Sequence, residues 1–209
     1  METFDLIAHP AHPPTGVRKV TARVLSYDAN WCVLRWKVEG AAGVIMPAFA
    51  GAARADGLWQ TTCFELFVRR LITPVSAASS TTLSPRGEGV GPGAGAGVGV
   101  GAATYSEFNF SPSERWAAYD FAGYRAGMTD RAMDRAPVIT PRRGGDVLFC
   151  DVAIPAAQLP PQPWRYALTA VIEEADGVKS FWAPAHGGPQ PDFHDPACLT
   201  ATFAAPDAA

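Results

Sequence analysis

The sequence predicts an all-β chain: an antiparallel two-sheet β-sandwich with very little helix. Three observations carry this. Apolar and polar residues alternate through most segments, the period-two pattern of a strand with one buried face. Turn chemistry separates those segments at short intervals, from Tyr27-Asp28-Ala29-Asn30 to Asp176-Gly177. Helical spacing surfaces only over residues 122–134, where Gly123 and Gly127 weaken it, and in a single turn at 155–159.

Taken in order, residues 1–15 are rich in Pro and His and read as a flexible tail. Residues 17–26 alternate with Val20, Ala22 and Val24 inward, and 31–38 return with Cys32, Leu34, Trp36 and Val38 inward, a hairpin. A short strand at 44–46 stops at Pro47. The segment 56–70, DGLWQTTCFELFVRR, is the expected central strand. Thr62, Phe64, Leu66 and Val68 share its core face, and Thr61, Cys63, Glu65, Phe67 and Arg69 share the other. Residues 105–110 place Tyr105, Glu107 and Asn109 on one face, and 116–121 return from them. Strands follow at 137–139, 146–154, 164–173, 178–182 and 199–203, with an irregular loop at 183–197. The total is about nine or ten strands joined by hairpins.

One stretch departs from this pattern. Residues 74–103 run from Ser and Thr into a Gly-x repeat that cannot bury enough apolar surface to offset its ordering entropy. It reads as a disordered Gly/Ser-rich insertion within a single domain spanning 16–204, with a second flexible tail at 205–209. It is no phosphate loop, because glycines at every second position form no GxGxxG and no Gly-Lys-Ser/Thr follows.

Composition narrows the function. The chain has 209 residues, 48% of them hydrophobic and 18% charged, with a net charge of -3. Its basic residues are scattered, so nothing predicts nucleic-acid binding. No apolar run approaches the roughly 20 residues that span a bilayer, so no membrane partner is expected. The opening METFDLIAHPAHPP lacks a basic region followed by an apolar run, and the expected location is cytoplasmic. The four cysteines form no CxxC pair and read as reduced, buried thiols.

Five blocks, GLWQTTCFELFV, YSEFNFSPSERWAAYDF with YRAGM, DVAIPAAQLP, RYALTAVIEEADG and FWAPAHGGPQPDFH, occur in an order that resembles bacterial DOMON-like proteins, a group related to the family 9 carbohydrate-binding modules. The resemblance covers residues 17–203 apart from the insertion. It implies a ligand-binding sandwich, with sugars or haem as ligands of related domains, and binding rather than hydrolysis.

Glu65, Glu107 and Asn109 are the polar candidates, because parity takes each to the non-core face of its strand. Carboxyl and amide groups fork onto neighbouring sugar hydroxyls. Trp59, Trp116 and Trp182 offer flat surfaces for a sugar's C–H face, with Trp59 and Trp182 expected at the rim. The competing reading pairs the carboxylates with Arg69, Arg125 or Arg165 and packs the Trp rings in the core. Two acids on one face also suit a glycosidase. His186 and His194, near Asp192 and Asp195, suggest a metal or haem site as an alternative, against histidines that merely brace a loop. The expectation is a non-catalytic module that takes a carbohydrate or similar polar small molecule and needs no cofactor. The remaining alternative is a protein-interaction domain without a small ligand.

Overall fold

The computed structural model describes residues 2–71 and 104–204. The expected insertion at 74–103 lies outside the described residues, as does the tail at 205–209. Twelve strands occur among the described residues: β1 (Thr3–Ala8), β2 (Lys19–Tyr27), β3 (Trp31–Glu39), β4 (Cys63–Arg70), β5 (Tyr105–Phe110), β6 (Trp116–Phe121), β7 (Thr129–Asp130), β8 (Val138–Gly144), β9 (Val147–Pro155), β10 (Trp164–Glu173), β11 (Lys179–Ala183) and β12 (Ala201–Phe203). The only helical segments among them are three-residue turns.

All strand pairs are antiparallel and form two layers. The first runs β1-β2-β3-β9-β8 and the second β7-β6-β5-β4-β10-β11. β12 lies along the start of β10, on the edge that β11 continues. The layers are joined by β1, whose residues 3–6 pair with β2 and whose Ile7 and Ala8 pair with β11. This corrects the expectation of a flexible tail at 1–15. Ladder bonds hold this strand, yet only Leu6 is buried within it, so its sequence lacks the alternation that marks its neighbours.

Between the layers lies the main core. Val20, Val24, Leu34, Trp36 and Val38 meet Phe64, Leu66, Val68, Phe108 and Phe110 from the other sheet. Trp36 packs on Phe64 and Phe110 with ring centroids 5.5 and 6.2 Å apart. Each such buried side chain contributes on the order of 1.5–3 kcal/mol. The parity expected for 17–26, 31–38, 62–68 and 105–110 is therefore observed. The expected strand at 44–46 is a single bridge from Val44 to Glu174. The strand expected at 137–139 runs on as β8 to Gly144 and carries Arg142 and Arg143.

The outer faces of the two sheets differ. The first is solvent-facing, with Arg35 bound bidentately to Asp151 at 2.6 and 2.7 Å. On the second, a separate apolar cluster forms, in which Cys63, Phe67, Tyr105, Tyr119, Phe121, Val171, Phe193 and Leu199 pack together beneath loops. A sheet buried on both faces explains why every residue of β5 is buried.

Candidate functional site

The covered outer face of the second sheet contains a pocket of about 420 Å³. Ladder register determines what lines it. Thr169, Glu65, Asn109 and Ala117 form one row across β10, β4, β5 and β6, and Ala167, Phe67, Glu107 and Tyr119 form the next. Directly opposed residues share a face, so both acids project to the same side. Glu65 and Glu107 line the pocket with Phe67, Tyr119, Phe121 and Val171.

Three loops wall the opening. The turn at Leu58–Gln60 brings in Trp59; it starts at Gly57, whose φ of 70° is left-handed. Residues 122–128 bring in Arg125 and Met128. Gly127 closes this loop with φ 62°, where an added Cβ would lie 2.7 Å from the Ala122 methyl. Arg125 itself has φ 50°, a conformation that non-glycine residues adopt at some cost and that aims its side chain at the pocket mouth. The loop after β11 supplies Pro191, Phe193 and His194. Cys198 pins that loop, its thiol donating to the carbonyls of Ala185 at 3.1 Å and Asp192 at 3.3 Å.

The acids are buried without a basic partner. Glu65 is 2% exposed, Glu107 6% and Asn109 0%. Thr169 Oγ1 donates to Glu65 Oε2 at 3.2 Å, and Asn109 Nδ2 donates to Glu107 Oε1 at 2.7 Å. Asn109 Oδ1 in turn accepts a weak bond from the Cys63 thiol at 3.8 Å. The pairing with Arg69, Arg125 or Arg165 that competed with a ligand site is absent among the described residues. Arg125 instead binds Asp192, at 2.8 Å from Nη2 and 3.2 Å from Nε, and Tyr124 donates to the same carboxylate.

Burial pushes the Glu65 carboxyl well above the usual range; the charge of Glu107 adds to this and the Thr169 hydroxyl opposes it. Burial also raises Glu107, against the Asn109 amide bond and the Arg125 charge. His194 Nε2 lies 3.8 Å from Glu107 Oε2. Burial lowers His194 to about 4, so the imidazole is neutral near pH 7 and this contact is not an ion pair. Tyr105 orients the ring. Its hydroxyl accepts from the Arg125 backbone N–H at 3.3 Å and shares a hydrogen bond with His194 Nδ1 at 2.6 Å, which turns His194 Nε2 toward Glu107.

Among the expected site residues, the structure brings together Glu65, Glu107, Asn109, His194 and Trp59, which is 42% exposed at the rim. Trp182 does not join them. It is 4% exposed in the main core, on the opposite face of the sheet, and its Nε1 donates to Ser180 Oγ at 2.8 Å. It is Phe181, one residue earlier, that reaches the pocket. Trp116 is also a core residue. His186 stands apart from the pocket lining, its Nε2 donating to the Ile7 carbonyl at 2.8 Å. Both nitrogens of His194 face protein groups, and among the described residues no three His, Cys, Asp or Glu side chains converge as a metal site would need. This donor set does not suit a metal ion held by three or more protein side chains.

Parity placed Phe67 on the same face as Glu65, and Phe67 lines the pocket; Tyr119, opposite Glu107 in the β5–β6 ladder, was not singled out. Arg125, Phe193 and Pro191 lie in loops and carried no such pattern.

No family model matches the chain, and no curated protein matches it. Among solved structures, the chain is similar to a carbohydrate binding module family 9 (CBM9) from Caldicellulosiruptor kristjanssonii in complex with glucose, at 10% identity and a TM-score of 0.44 over 99% of this chain and 87% of that one. At that distance the likeness carries no argument about the site, and the functional reading rests on the pocket's own residues.

Proposed function

We propose that this chain is a non-catalytic ligand-binding module of the DOMON-like type that takes a carbohydrate or similar polar small molecule in the pocket above Glu65 and Glu107. The observation that carries the reading is the pair of buried acids facing an aromatic-walled pocket, with Thr169 and Asn109 as their hydrogen-bond donors and no arginine bound to either among the described residues. A volume of about 420 Å³ suits a small ligand. Carboxyl oxygens accept from sugar hydroxyls. The rings of Trp59, Tyr119 and Phe121 offer flat apolar surface to C–H faces.

Glycoside cleavage is the competing use of two acids on one face, since it needs a general acid and a carboxylate at set separation, and a turnover assay separates it from binding. Tryptophan fluorescence across a panel of mono- and disaccharides tests the proposal through Trp59. A saturable response that Glu107→Ala abolishes supports it; silence from the wild type, an undiminished response in the variant, or turnover of any glycoside opposes it.

A further inference from the structure

The pocket's charge balance narrows its ligand. Two acids are buried within it, and the one arginine in its lining is committed to Asp192. Glu65 Oε1 accepts no hydrogen bond among the described residues, and Glu107 Oε2 has His194 Nε2 at 3.8 Å, beyond hydrogen-bond reach. Each acid thus has one oxygen satisfied by the sheet and one left over in an open pocket. Around them stand Trp59, Phe67, Tyr119, Phe121, Phe181 and Phe193. Aromatic faces carry negative potential and attract cations, and the attraction grows where water is excluded. Buried acids without a counter-charge are costly. A site that had evolved for neutral hydroxyls alone would gain little from two acids where amides would serve.

We infer that the ligand carries a protonated amine, an amino sugar rather than a neutral one, with its ammonium seated between the free oxygens of Glu65 and Glu107 and against the aromatic walls. This rests on the carbohydrate reading and specifies it. The ammonium supplies the missing positive charge and donates to both unsatisfied oxygens, while the ring stacks at the Trp59 rim. Binding draws the carboxyls toward their ionised form, so protons leave the protein as the ligand enters.

Other groups near the acids do not blur this linkage between pH 5 and 7. His194 is neutral there, having been lowered to about 4. Burial keeps the Tyr105 and Tyr119 hydroxyls and the Cys63 thiol protonated. Arg125 remains cationic, and Asp192 and Asp56 are held low by their hydrogen-bond partners and remain anionic.

Calorimetric titration with four probes is the test: D-glucosamine, N-acetyl-D-glucosamine, D-glucose and choline. Glucosamine is expected to bind at least about tenfold more tightly than the other two sugars, the effect of one charge-assisted hydrogen bond. Its affinity should rise from pH 5 to 7, with proton release measured in buffers of different ionisation enthalpy. Glu65→Gln and Glu107→Gln, checked for folding by circular dichroism, should lose that preference, so that glucosamine and glucose bind them with similar affinity. Equal affinity for glucosamine and glucose overturns the inference and leaves the carbohydrate reading standing. Choline bound without any sugar overturns the amino-sugar assignment and the carbohydrate reading, and leaves only a cation site. No binding by any probe overturns both.

Discussion

Asn109 stands directly across the β4–β5 ladder from Glu65, yet its side-chain amide donates to Glu107, two residues along its own strand, at 2.7 Å. The amide is fully buried and couples the pocket's second acid to the sheet that carries the first. Asn109→Leu removes the donor to Glu107 Oε1 and one of the two acceptors of the Cys63 thiol. The expected cost is about 1–3 kcal/mol, read as a lower midpoint in guanidinium denaturation with an unchanged slope. An unaltered midpoint would mean that the amide satisfies nothing that water does not.

The pocket makes stability depend on pH in two opposing ways. Glu65 and Glu107 are raised above their ordinary value of 4.5, so their contribution is intact below that pH and is lost as pH rises through the folded values. His194 is lowered from 6.5 to about 4, so its contribution is intact above pH 6.5 and is lost as pH falls toward 4. Glu65→Gln is expected to raise the ligand-free melting temperature at pH 8 and flatten the alkaline side of the profile. His194→Gln is expected to flatten only the acid side. Melting curves from pH 4 to 8 check both, and a lower melting temperature for Glu65→Gln at pH 8 would contradict the assignment.

Two tryptophans separate binding from folding. Trp59 is half exposed at the pocket rim, so Trp59→Ala should leave the melting temperature nearly unchanged and weaken sugar binding about three- to tenfold. Trp182 lies in the main core, and Trp182→Ala should cost about 3–5 kcal/mol. Titration and denaturation of the two variants should give opposite orders of severity.

All four cysteines are buried and unpaired. Burial pushes the thiols up, to about 12 for Cys32 and Cys198 and well above the ordinary range for Cys63. The native protein at pH 8 should therefore resist a thiol reagent such as DTNB, and guanidinium should expose all four. Rapid reaction of a native thiol would point to an opening of the Cys198 loop that roofs the pocket.

Much of this site was legible as strand parity. The alternation through 62–68 and 105–110 assigned Phe64 and Phe108 to the core and Glu65 and Glu107 to the other face, and the ladder between β4 and β5 bears that out. Trp182 shows the limit of the method. Its block was recognised, but the register of β11 sends Phe181 to the pocket and Trp182 to the core, and nothing local distinguishes two adjacent aromatics that are both to be buried. β1 was missed because it spans both sheets with a single buried side chain, so its hold comes from backbone bonds that leave no mark in composition. Arg125 lies in a loop, where position depends on tertiary partners such as Asp192 rather than on periodicity, and His194, singled out as a metal or haem candidate, is instead held beside Glu107 by Tyr105.

The most direct measurement is a crystal structure of the protein soaked with the sugar that titrates most tightly. The account predicts density for one ligand over the outer face of the second sheet, its polar atoms within hydrogen-bond distance of Glu65 and Glu107 and its ring against Trp59. Density elsewhere, with this pocket empty or closed by the 122–128 loop, would contradict it.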